Sequence, residues 1–100
     1  MEKMPLILVV DDEELNRGLM NELLVILGYK VVLAADGEEA LRKVQETAPD
    51  VILLDVMMPG INGFDVLRKL KENEETGIIP VVKYLRQSRR LEICEPLKAD

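Results

Sequence analysis

Asp11 and Asp12 follow the aliphatic run Leu6–Val10, and Asp55 follows a second aliphatic run, Val51–Leu54. Three carboxylates at the ends of two apolar runs do chemistry together only if the fold lays those runs side by side. Brought together, they repel one another. A hard divalent cation resolves that repulsion: Mg²⁺ takes oxygen ligands in an octahedron and keeps several waters, leaving room for a phosphate. The cation also neutralises charge on an incoming phosphoryl group, where phosphoryl transfer gains most of its acceleration. A carboxylate can itself be the nucleophile, giving an aspartyl phosphate. Asp55, alone at a strand tip, suits that role. A lone aspartate at a strand end ordinarily caps a helix or sits in a solvated loop, and Asp36, Asp50 and Asp65 fall in that class. Asp11, Asp12 and Asp55 stand apart through their joint spacing, set by strand adjacency.

The elements that must position them follow from the apolar pattern. Leu6–Val10 is continuous and aliphatic, as a strand buried on both faces requires. A helical pattern follows, with Leu15, Leu19, Leu23, Ile26 and Leu27 on one face, and Gly28 offers its stop. Val31–Ala35 reads as a second strand. Asp36 and Glu39 have capping-box spacing, and the helix they open places Ala40, Leu41, Val44 and Ala48 inward before Pro49 closes it. Val51–Leu54 is a third buried strand. Val56–Gly60 is a loop by its Pro-Gly pair. Phe64, Leu67, Leu70 and Lys71 mark a third helix that frays into Asn73–Gly77, and Ile78–Val82 reads as a fourth strand. Alternating strands and helices with short links argue for a parallel sheet covered on both faces. Such sheets bind ligands outside the carboxyl ends of their strands. In a 2-1-3-4 order the first and third strands are neighbours, and the three aspartates share one edge.

Composition narrows the function classes. At 100 residues the chain is one domain at most, with 48% hydrophobic residues and an aliphatic core, since aromatics are 3%. No apolar run approaches the roughly 20 residues of a membrane span, and Leu6–Val10 is too short for a signal peptide. One cysteine, Cys94, rules out an internal disulfide and fits a reducing, cytoplasmic setting. The net charge of -6 disfavours direct nucleic-acid binding. That charge is uneven: residues 1–80 carry 8 Lys/Arg against 16 Asp/Glu, and residues 81–100 carry 5 against 3.

Leu8-Val-Val-Asp-Asp-Glu-Glu-Leu-Asn-Arg17, followed by Asp50-Val-Ile-Leu-Leu-Asp-Val-Met-Met-Pro-Gly-Ile-Asn-Gly-Phe64, resembles the receiver domain of two-component response regulators. The Asp pair, the Asp55 strand, the Met58-Pro-Gly60 turn and Gly63 occur in the family's order, and the resemblance covers residues 4 to about 82. It implies a flavodoxin-like, doubly wound parallel sheet and a phosphoacceptor that takes its phosphoryl group from a histidine kinase or phosphotransfer protein. Asp55 is then the phosphoacceptor. Mg²⁺ is held by Asp12 directly, by Asp11 directly or through water, by Asp55 and by the backbone carbonyl of Met57. The Met57 side chain faces the phosphoryl site and offers no base for hydrolysis; Met58 packs in the core or loop. The resemblance implies a signalling protein, with at most self-catalysed phosphotransfer and autodephosphorylation, and not an enzyme in the ordinary sense. A phosphatase of the aspartate-nucleophile type fits less well, because it places a second Asp two residues after the nucleophile, where this chain has Met57.

The C-terminal end departs from the family pattern. The family ends its fourth strand with a Thr or Ser that bonds the phosphoryl group; counting from Pro80, that place falls on Leu85, and Ser88 lies three positions late. A lysine followed by proline at the end of a fifth strand has no counterpart either. We therefore expect an incomplete sheet of about four strands in residues 4–82, and a divergent, helical tail in 83–100 with a loose stripe at Tyr84, Leu91 and Cys94. The change in composition reads as a truncated, recombined, frame-shifted or engineered end. Its basic run, Arg86 to Arg90, reads as a solvated face. With its last strand and helix missing or replaced, the fourth strand would become an open edge, and open edges recruit other chains; a homodimer through that edge or the tail follows. The competing function is a degenerate receiver that binds protein partners independently of phosphorylation.

Overall fold

The computed structural model of the chain describes residues 4–56, 58, 63–85 and 90–94. Five strands form one sheet, β1 (Leu6–Val10), β2 (Lys30–Ala34), β3 (Val51–Asp55), β4 (Val81–Leu85) and β5 (Arg90–Cys94), in the order β2-β1-β3-β4-β5. The first four are parallel, in the expected order. Between them run α1 (Glu14–Ile26), α2 (Gly37–Thr47), α3 (Gly63–Glu72) and the single turn α4 (Glu74–Gly77). Asn73 caps α4 by accepting the Glu75 N–H, so the expected fraying over Asn73–Gly77 is instead a closed turn.

Strand alternation sorts the core into two layers. Leu8, Val10, Ile52, Leu54 and Val81 point to one face, where α2 and α3 cover them with Ala40, Val44, Val66 and Leu70. Ile7, Val9, Val51 and Leu53 point to the other, beneath α1. The bland aspartates hold this frame together. Asp36 caps α2 by accepting the Glu39 N–H at 2.8 Å, and Glu39 reaches back to the Ala35 N–H. Asp50 accepts the Leu6 N–H at 2.7 Å and so joins the start of β1 to β3. Asp65 pairs with Arg68 on the surface of α3.

The inward face of α1 differs from expectation. Leu15, Leu19, Leu23, Ile26 and Leu27 are all exposed, and Leu24 with Met20 meets the sheet instead. Two apolar stripes compete on this helix, and its polar first turn decides between them. Asn16 and Arg17 both bond Asp11, which rotates Met20 and Leu24 inward. Ala48, expected inward on α2, is exposed as the left-handed cap at φ 46°, where Pro49 ends the helix. Phe64 is exposed too, with the Lys83 ammonium 5.6 Å from its ring centre.

The C-terminal segment is corrected most. The fourth strand starts at Val81, not Ile78, because Pro80 has no N–H to give a ladder and the Ile79 N–H turns back to Thr76. Within the expected helical tail, the described residues 90–94 form a strand: β5 returns antiparallel along β4, with Tyr84 opposite Leu91 and Val82 opposite Ile93. A parallel fifth strand needs a crossover of a dozen or more residues, whereas an antiparallel one needs only a short link, and only residues 86–89 separate β4 from β5. The edge of β4 is therefore paired on both sides, which removes the open β4 edge on which a dimer was expected.

Candidate functional site

Register places the three carboxylates. Val10 lies beside Leu54 in the β1–β3 ladder, so Asp11, one residue on, comes level with Asp55. Both strands end there, at their carboxyl tips. Asp11, Asp12 and Asp55 each bring a carboxylate oxygen within 4.8 Å of the others. Asp11 and Asp55 are fully buried, and Asp12 is only partly covered.

Asp11 is held from several sides, its own N–H donating to the Ala34 carbonyl oxygen of β2. Its Oδ1 accepts the Glu13 N–H at 2.9 Å, which bends the chain into α1. Its Oδ2 accepts from the Asn16 amide and from the Tyr84 hydroxyl. Arg17 Nη1 donates to the Asp11 carbonyl oxygen at 2.8 Å. The Asn16 amide also donates to the Tyr84 hydroxyl oxygen. Residues of α1 and β4 thus converge on the one aspartate that follows β1.

Gly63 sets the far wall. A Cβ built there would lie 2.3 Å from the Val56 Cα and 2.6 Å from the Asp55 carbonyl oxygen. The first residue of α3 therefore packs directly on the backbone that carries Asp55, and only glycine fits so close an approach. Met58 is buried in the core on the same side. Met57, whose carbonyl was expected among the metal ligands, lies outside the described residues. Leu85, where the resemblance put the family's hydroxyl, is the last residue of β4, and Ser88 lies outside the described residues.

The donor set suits a hard cation. Three carboxylates offer only oxygen, with no nitrogen or sulfur, which is the preference of Mg²⁺ and not of zinc or copper. Asp12 Oδ1 and Asp55 Oδ2 are both shielded from solvent, so a positive charge between them would act in a low-dielectric setting.

Sequence reasoning found the three aspartates and missed Tyr84, Asn16 and Arg17 as their neighbours. The signal for Tyr84 lay in strand register: extending the fourth strand to Leu85 pairs Tyr84 with Asp55.

Known proteins place the chain. The response regulator receiver domain model matches residues 7–95. The response regulator PleD of Caulobacter vibrioides is 53% identical over 76 residues, which are 76% of this chain and 17% of that protein. The polar-differentiation response regulator DivK of Brucella ovis is 38% identical over 76 residues, covering 62% of its length. The chain therefore spans less than two thirds of these relatives. Among solved structures, the N-terminal domain of a response regulator receiver protein from Methanoculleus marisnigri superposes with a TM-score of 0.79 at 36% identity, over 81% of this chain and 66% of that one. The receiver domain of a sensor histidine kinase from Pseudomonas aeruginosa, described with a magnesium ion coordinated in its active site cleft, gives 0.76 at 31% identity, over 81% and 66%. Sequence, sheet order and the carboxylate cluster at the strand tips agree: the chain belongs to the response regulator receiver domain family.

Proposed function

We propose that this receiver is a phosphoacceptor that takes a phosphoryl group onto Asp55 from a histidine kinase or phosphotransfer protein in the cytoplasm. The observation that carries the reading is the meeting of Asp11, Asp12 and Asp55 at the tips of β1 and β3, within 4.8 Å of one another. Asp55 is the nucleophile. One of its carboxylate oxygens forms the new O–P bond as the donor's P–N bond breaks, and the donor nitrogen keeps the electron pair. Asp11, Asp12, Asp55 and the Met57 carbonyl would hold Mg²⁺, which supplies positive charge to the phosphoryl oxygens. Gly63 lets α3 pack directly on the backbone that carries Asp55. The chain itself does no further chemistry than phosphotransfer and loss of its own phosphate.

The adduct forms slowly and moves β4 little, because Leu85 stands where the family has its hydroxyl and no lysine is assignable to the third phosphoryl oxygen. Incubation with Mg²⁺ and acetyl phosphate, followed by intact mass, tests this. The expected result is the mass of one phosphoryl group, absent in Asp55→Asn. No gain in the wild type, or a gain that survives the substitution, would sink the reading.

A second reading rests on Leu85 and on the Tyr84 hydroxyl bonded to Asp11: a degenerate receiver that binds protein partners without regulated phosphorylation. The outer face of α1 would serve it, where Leu15, Leu19 and Leu23 stand exposed. Self-association would run through β5 in the tail, one of the two outer strands of the sheet. Light scattering across a concentration series checks it; a monomer at high micromolar concentration rejects it.

A further inference from the structure

β4 brings an unexpected side chain to the acidic site. Asp55 and Tyr84 are register partners on neighbouring parallel strands, so their side chains leave the same face of the sheet. Asp11 emerges level with Asp55 on the other side. A long side chain at position 84 can therefore reach the carboxylate of Asp11, and the Tyr84 hydroxyl donates to its Oδ2. The Asn16 amide donates to that same oxygen and to the tyrosine oxygen. A carboxylate oxygen has about two acceptor directions. Both directions of Asp11 Oδ2 are thus spent on groups of the chain itself, one from α1 and one from β4.

From this we infer that Tyr84 is a built-in competitor for the cation site: its hydroxyl occupies the Asp11 oxygen that a divalent cation or its water would otherwise use, and it must let go when the cation binds. The inference rests on the reading of the three aspartates as a cation site and adds a residue that sets its affinity. Tyr84 is a positioning residue here, acting through Asp11. The consequence is a link between the occupancy of the site and the end of β4. The hydroxyl is held in the cation-free state and released in the bound state, so its hydrogen bond lowers cation affinity by what that bond is worth.

Tyr84→Phe keeps the ring and removes only the hydroxyl. A hydrogen bond of ordinary net strength predicts Mg²⁺ binding roughly two- to tenfold tighter in this variant than in the wild type. Isothermal titration with Mg²⁺ alone reads that change. A second readout uses the absence of tryptophan and the presence of only 2 tyrosines. In Tyr29→Phe, Tyr84 is the sole tyrosine, and its fluorescence should change along the Mg²⁺ titration with the same midpoint as the heat. Equal or weaker Mg²⁺ binding by Tyr84→Phe overturns the inference, as does a Tyr84 signal indifferent to saturating Mg²⁺. Saturable binding in neither protein overturns the cation site itself, and this inference with it.

Discussion

The two faces of the one sheet are built to different standards. On the α2–α3 face, Leu8, Val10, Ile52, Leu54 and Val81 are wholly out of solvent. On the α1 face, Ile7 and Val9 of the central β1 are buried, but Val31 and Leu33 of β2 and Val51 and Leu53 of β3 are only partly so, although the last two alternate with Ile52 and Leu54 along one strand. Among the described residues, one helix covers this face, and it packs on β1 and β2. Its own leucines add to the imbalance, since Leu15 is 70% and Ile26 81% exposed. Identical aliphatic residues thus carry different stability according to which way the strand turns them. The acidic site lies on the less covered side, where partly covered residues such as Tyr84 and Asn16 can reach it.

The largest test of this contrast is a pair of truncations one residue apart. Leu54→Ala should cost about 3 kcal/mol, the usual range for an enclosed leucine, while Leu53→Ala should cost about half as much, since its side of the sheet can relax and already meets water. Urea unfolding of both variants reads the difference; equal losses would erase the distinction between the faces. Next comes Gly63→Ala. Its methyl would collide with the backbone of Val56 and Asp55, and α3 must shift to admit it, at about 2 kcal/mol. The same variant should lose phosphorylation at Asp55 beyond what its stability explains, measured at a temperature where it stays folded.

Asp12→Asn acts in the opposite direction. Removing one of three clustered carboxylates relieves repulsion, and in metal-free buffer we expect a gain of about 1 kcal/mol, or roughly 5 °C in melting temperature. Mg²⁺ binding should be lost in the same protein. A melt at or below that of the wild type would contradict a site under like-charge repulsion. The smallest effect belongs to the outer stripe of α1. Leu19→Gln and Leu23→Gln should each change stability by no more than about 0.5 kcal/mol, because both side chains already stand in water. A loss comparable with that of Leu54→Ala would mean that this stripe is covered in solution.

Where residues repeat a local rule, the sequence was legible. The aliphatic runs 6–10 and 51–54 became β1 and β3 with their aspartates at the tips, because a strand buried on both faces admits almost nothing else. Asp36, Gly28 and Pro49 stopped or started helices for reasons confined to a few bonds. The tail was not legible, because its apolar residues fit more than one period. Spacing among Tyr84, Leu91 and Cys94 suggested a helix, yet the same stretch alternates Leu91 and Ile93, and the neighbouring edge of β4 decided for a strand.

The sequence by itself determined the order of the first four strands and three helices and the three carboxylates at the strand tips, since apolar spacing along the chain specifies them. Tertiary structure decided what no local pattern contains. It chose which of two apolar stripes on α1 faces the sheet, with Asn16 and Arg17 turned toward Asp11 at the tip of β1. It placed Tyr84 at the acidic site, because register between β3 and β4 is a property of two strands and not of either one. Side-chain direction in a sheet has a period of two, so shifting β4 by one residue would turn Tyr84 to the opposite face and leave Asp11 without this contact.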